Sequence, residues 1–176
     1  TCALPIYRFS KAASKVFFMS DEQRKIYNDA FGGYDDKNST VLSSVFSEDF
    51  FTNVEKLRSE TQSKKGWIVL GSRSWVKGVE QSESWCKDNE LDYEVISNLT
   101  PEDTLSKLAS AEGVCFLPTG LDTCPRFVIE AKLLGCKLHL NDKVQHSNEE
   151  WFTSDDNSSI IEYLKGRANL FWSQVG

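Results

Sequence analysis

The sequence predicts an α/β fold in which a parallel sheet carries helices on both faces. Three observations lead there. From Gly66 onward, short apolar runs alternate with amphipathic stretches, the order expected of strand–helix–strand units. Two of those runs, Gly66–Gly71 and Gly113–Leu117, read as buried strands. Helix start and stop residues fall between the runs, so each amphipathic stretch has its own boundaries.

Along the chain, Lys15–Met19 reads as a strand. Ser20 and Gln23 form a capping box opening a helix through Ala30, closed by Gly32 and Gly33. Thr40–Phe46 is a second strand. Ser47 caps a helix whose inner side carries Phe50, Phe51, Val54 and Leu57. The polar stretch Ser59–Lys65 is the best linker. After the strand at 66–71, Lys77–Asn89 is a helix with an imperfect stripe of Val79, Trp85 and Cys86. Asp92–Ser97 is a strand. Thr100, Pro101, Glu102 and Asp103 open a helix that buries Leu105, Leu108 and Ala109. The strand ending at Leu117 leads to a loop and a helix over Arg126–Leu134, ended by Gly135. Lys137–Leu140 is a short strand. Thr153–Val175 reads as one long helix, with Ile160, Leu164, Ala168, Phe171 and Val175 on one stripe. The expected divisions are residues 1–60, the tail of a preceding domain; 61–152, the sheet domain; and 153–176, the closing helix.

The chain has 176 residues, 40% hydrophobic and 26% charged, with five Trp and eleven Phe, which is ample core for one domain and an appendage. A net charge of −6 argues against a broad nucleic-acid surface, which is usually basic. No apolar run approaches the ~20 residues of a membrane span. The five cysteines are scattered and show no CxxC spacing, so reduced thiols and a cytoplasmic setting are expected. With two His and no ligand cluster, no zinc site is expected. The first residue is Thr1 and the start has no clear helix or strand signal, so a fragment is expected.

The chemistry concentrates at two strand ends. Asp122 lies in the loop after the Gly113–Leu117 strand, and Glu130 lies one turn into the next helix. Open α/β sheets bind ligands beyond such carboxyl ends, and a helix start offers free backbone N–H groups to an anion. Arg73 and Lys77 follow the first strand of the sheet domain. Arg grips phosphate with two N–H groups, and Lys adds a point charge. Positive groups fixed in advance lower the barrier to losing an anionic leaving group. His139 reads as a packed strand residue. His146 lies in a polar loop with no partner evident from sequence. Cys124 reads as packing, and Trp151 and Phe152 as the anchor of the last helix.

This pattern resembles the carboxyl-terminal, donor-binding domain of nucleotide-sugar-dependent glycosyltransferases of the GT-B fold, the large retaining family (group 1 type) with two Rossmann-like domains. The family's acid pair, with seven residues between, matches Asp122 and Glu130; its Arg and Lys match Arg73 and Lys77. The resemblance covers nearly the whole chain but about half of such an enzyme, with a missing amino-terminal domain expected. It implies that Arg73 and Lys77 neutralise the donor diphosphate, Asp122 binds the transferred sugar, and Glu130 binds the ribose. Backbone groups near Thr123, Cys124, Arg126 and Phe127 would cradle phosphate or sugar oxygens. Ser97, Asn98 and Leu99 would touch the base. The nucleotide sugar is a co-substrate, and no metal or other cofactor is implied. Asp122 stands where the family usually has Glu, one methylene longer. No catalytic residue is assigned, the acceptor is unknown, and the chain alone is expected to be a weak donor binder with little activity. The rival readings are a sugar-nucleotide epimerase of similar architecture and a non-catalytic α/β scaffold; a response-regulator-like domain would carry acids, not Arg73 and Lys77, at its first strand end.

Overall fold

The computed structural model describes residues 12–175. It is an α/β structure with parallel sheets. The larger sheet has strands β3 (Trp67–Leu70), β4 (Tyr93–Ile96), β5 (Gly113–Phe116) and β6 (Lys137–Leu140), in the order β4-β3-β5-β6. All three pairings are parallel, with Ile68 opposite Val114 and Val114 opposite Leu138.

Side chains alternate between the two faces of a strand, and the core divides accordingly. Ile68, Ile96, Val114 and Phe116 enter the larger cluster. Helices α2 (Glu48–Glu60), α4 (Pro101–Ser110), α5 (Arg126–Leu133) and α7 (Asn157–Val175) cover that face with Phe51, Leu108, Ile129 and Leu164 among others. Val69 and Cys115 face the other way, against Cys86 and Trp85 of α3 (Val79–Asp88). His139 of β6 stacks on Trp85 there, with ring centroids 3.7 Å apart, so it is the packed strand residue expected.

This layout fixes where a ligand can sit. The chain leaves β3 through α3 on one face and leaves the adjacent β5 through α5 on the opposite face. The winding therefore reverses between the carboxyl ends of β3 and β5, the position at which open α/β sheets bind ligands.

A two-stranded parallel sheet precedes this unit: β1 (Val16–Phe18) and β2 (Ser39–Val41), with α1 (Asp21–Phe31) between them. Ser20 caps α1 by accepting from the Gln23 amide at 3.0 Å, and Gln23 Oε1 accepts from the Met19 amide at 2.7 Å. The Thr40–Phe46 strand expected from sequence stops at Val41. Its remainder crosses toward the larger sheet, where Phe46 stacks on Phe50 at 4.2 Å and Ser47 caps α2 through the Phe50 amide.

Two further expectations are corrected. The helix after β3 begins at Val79, because Trp75–Lys77 forms a separate 3-10 turn and Gly78 follows at φ 60°. Lys77 thus sits on that turn, before the helix. The long last helix runs unbroken to Val175 but starts at Asn157 rather than Thr153: a short helix, α6 (Glu150–Thr153), ends before Ser154, and Asp156 starts α7 by accepting from the Ser158 and Ser159 amides. An Asp followed by helical residues is a capping signal that the apolar stripe concealed. Gly135 ends α5 at φ 77° as expected.

Candidate functional site

The loops after β3 and β5 are fastened to each other. The Thr119 amide donates to Val76 O at 2.9 Å, and Thr119 Oγ1 donates to Trp75 O at 2.8 Å. Ser82, buried on α3, accepts from the Leu117 amide at 3.0 Å and donates to Gly78 O at 2.9 Å. Asn141 Nδ2, beyond β6, donates to Pro118 O at 2.9 Å. Asp122 is held from behind: its amide donates to Lys143 O at 2.8 Å and its carbonyl accepts from the Gln145 amide at 3.0 Å.

On this frame Asp122 Oδ2 meets Lys77 Nζ at 2.6 Å, with side-chain exposures of 12% and 32%. A cation from the first strand's loop and a carboxylate from its neighbour's loop thus converge, although 45 positions apart.

Glu130 lies one turn into α5 with its side chain 15% exposed. Burial pushes its carboxyl above the ordinary 4.5, while Arg126 opposes the shift. The Arg126 Nε lies 3.7 Å from Glu130 Oε1, and its guanidinium sits 4.4 Å over the Phe46 ring. Pro125 caps α5 and offers no N–H, leaving the first-turn amides of Arg126 and Phe127 as the helix's free donors. An acid whose folded pKa is raised contributes its stability below the unfolded value and loses it as pH rises through the folded one. Glu130→Gln mimics the protonated acid and does not titrate. Its melting temperature relative to wild type should therefore climb as pH is raised from 4 to 7; calorimetry showing a constant or shrinking difference would contradict the burial effect.

The remaining sequence-predicted residues are spread along the same carboxyl edge. Arg73 is exposed and lines a recess of about 410 Å³ with Trp75 and Thr119. Lys77, Asp122 and Glu130 do not line that recess. Ser97, Asn98 and Leu99 are exposed after β4, with Asn98 at φ 56°. The Gly71 amide donates to Ile96 O at 2.7 Å, which sets the starts of the two loops side by side. Thr123 is half-buried. Cys124 is buried beneath the loop, and Ser44 Oγ lies 3.5 Å from both its carbonyl and its sulfur. Burial raises its thiol pKa, as it raises Cys115 to about 12 and Cys136 to about 11. These thiols pack and stay protonated. The four described cysteines are all free.

Sequence reasoning missed His146. It is fully buried, stacked near Trp151 at 5.6 Å and edge-on to Phe152 at 4.6 Å. Neither ring nitrogen has a hydrogen-bond partner among the described residues; the Thr123 backbone lies near enough to favour the charged form slightly but outside bonding geometry. Burial dominates and pulls its pKa down to about 4, so it is neutral packing behind the Asp122–Cys124 loop. Trp151 also stacks on Tyr163 of α7 at 4.7 Å, consistent with an anchor. The surrounding Ser, Asn and Glu made this segment look like a solvated loop.

Among the described residues no group of three or more His, Cys, Asp and Glu is arranged to hold a metal ion. None of the described helices is long and apolar enough to cross a membrane. Compared with known proteins, the chain matches no family model and no curated protein.

Proposed function

We propose that this chain is the donor-binding half of a glycosyltransferase and holds a nucleotide-diphosphate sugar in the crevice between the ends of β3 and β5. The observation that supports this most is the 2.6 Å contact of Lys77 with Asp122 at the winding reversal. The two groups neutralise each other, and a sugar nucleotide offers each a replacement. A phosphate oxygen takes the Lys77 ammonium, while sugar hydroxyls donate to the Asp122 carboxylate. The first-turn amides of α5 add donors for phosphate at the positive end of the helix.

Glu130 accepts ribose hydroxyls further along α5, and Ser97–Leu99 lies toward the base. As the sugar departs, negative charge grows on the nucleoside diphosphate, and Lys77 together with the helix start stabilises it without a metal. Arg73 shares the Lys77 loop but lines the neighbouring recess, so Lys77 is the cation given the central role. This chain holds the donor side of the reaction, and its turnover alone should be slight.

The test is a thermal-shift panel of UDP, GDP and ADP, free and as sugar conjugates. Ligand at ten times its Kd adds about 1.4 kcal/mol, roughly 3–6 °C for a chain of this size. At least one conjugate should give that shift, and Lys77→Ala and Glu130→Ala should remove it. Silence from every nucleotide at millimolar concentration would end the proposal.

A further inference from the structure

Trp75 is 76% exposed, the most exposed large hydrophobic side chain among the described residues. The turn that carries it is held in place. Its carbonyl accepts from Thr119 Oγ1 at 2.8 Å and from the Gly78 amide at 3.2 Å, so the 3-10 turn carrying it is fixed to the β5 loop. An indole presented to water on a fastened turn leaves a large apolar face uncovered at a fixed place on the surface, and aromatic side chains carry a large apolar area into a contact.

The recess beside it, about 410 Å³, falls within the size range of small-molecule sites. Its walls are not those of an apolar slot. Ser72, Glu80, Gln81 and Thr119 bring hydroxyl, carboxylate and amide groups, and Arg73 brings a guanidinium with no ion-pair partner among the described residues.

We propose that this recess is a saccharide subsite in which Trp75 stacks on the apolar face of a sugar ring and Arg73 grips an acidic group carried by that ring. A pyranose has one face of C–H groups for the indole and a rim of hydroxyls for the short polar side chains, which the recess matches on both counts. A carboxylate or phosphate on the ring meets the Arg73 fork with two hydrogen bonds. Lys77 and Asp122 do not line the recess, which Val79, Glu80 and Gln81 of α3 help to wall, so it lies beside the Lys77–Asp122 contact on the α3 side. A Cβ added to Gly120, two residues before Asp122, would lie 3.8 Å from Trp75 Cη2, so a sugar stacked on this indole neighbours the transferred sugar of the proposed donor, as an acceptor does.

The experiment follows the Trp75 indole N–H resonance in the 15N-labelled chain, assigned with Trp75→Phe, with no nucleotide present. Methyl β-D-glucuronide should move it saturably, and neutral methyl β-D-glucoside should bind about tenfold more weakly because it cannot engage the guanidinium. Arg73→Gln should bring the two sugars within about twofold of each other, and Trp75→Ala, followed instead through the backbone amide resonances of Ser72, Arg73 and Thr119, should weaken both by tenfold or more. Both side chains are exposed, so folding should survive and a far-ultraviolet spectrum will verify it. The subsite is refuted if neither sugar moves the resonance at tens of millimolar, if charge makes no difference in wild type, or if uridine moves it instead. Because the probes contain no nucleotide, these outcomes are independent of the nucleotide thermal-shift panel.

Discussion

Gly78→Ala lowers the stability of the domain by about 3 kcal/mol or more, and it disables the crevice in the molecules that still fold. A Cβ on Gly78 would lie 1.8 Å from Leu117 O and 2.6 Å from its carbonyl carbon. Both are backbone atoms at the end of a central strand, which cannot step aside as a flexible side chain does. The residue also sits at φ 60°, where any side chain adds strain. Relief requires moving the start of α3 away from β5. That movement pulls Ser82 from the Leu117 amide, pulls the Trp75–Lys77 turn from Thr119, and carries Lys77 away from Asp122. The contrasting change is Gly166→Ala on α7, where a Cβ meets nothing within 4 Å; it should stabilise by about 0.5–1 kcal/mol. Urea denaturation of both variants gives the comparison. Equal effects, or effects of the same sign, would mean that the approach of α3 to β5 is not what constrains Gly78.

The parts of this structure that sequence reasoning reached are those with a local physical signature. Ser20, Ser47 and Thr100 cap their helices because a short oxygen side chain reaches a first-turn amide, and that chemistry lies within four residues of text. The two central strands of the larger sheet, β3 and β5, are continuous apolar runs because both of their faces are covered. What stayed hidden depends on contacts between distant residues. Nothing near Leu42 says that strand pairing ends there; it ends because its partner β1 stops at Phe18 and Ser20 opens a helix just beyond. Nothing near His146 announces burial, which Trp151 and Phe152 impose by packing on its ring, with Tyr163 of α7 holding Trp151 in place. At the site, the residue types at the two strand ends were legible, and so was their placement on one edge. Their grouping was not. The 3-10 turn and Gly78 displace Lys77 from the helix assumed for it and set it against Asp122, while Arg73 is left beside Trp75. The two-residue shift in where α3 begins, from Lys77 to Val79, leaves Lys77 on the turn that faces the β5 loop.

Lys77→Ala should cost more than Lys77→Ala and Asp122→Asn made together. Asp122 is 12% exposed, its backbone is locked on both sides by Lys143 and Gln145, and it cannot swing out to water when its partner is removed. An unpaired carboxylate in that position costs roughly 1–3 kcal/mol, below the value for a fully dry pair because Lys77 keeps part of its surface in solvent. Asn keeps the shape and removes the charge, so the second change should recover part of the loss. The exposed Lys107–Glu94 pair, at 45% and 55%, gives the reference: its cycle should show well under 1 kcal/mol and fade with salt. The same coupling separates product from substrate in the proposed reaction. A nucleoside diphosphate must take Lys77 from Asp122 and offers the carboxylate nothing, whereas the sugar conjugate supplies hydroxyls to replace the ammonium. Asp122→Asn alone releases Lys77 and should strengthen binding of the free diphosphate several-fold while weakening the preference for the conjugate. Isothermal titration of both ligands against wild type and Asp122→Asn measures the exchange, and additive stabilities with unchanged ligand preference would show that the 2.6 Å contact holds neither the fold nor the site.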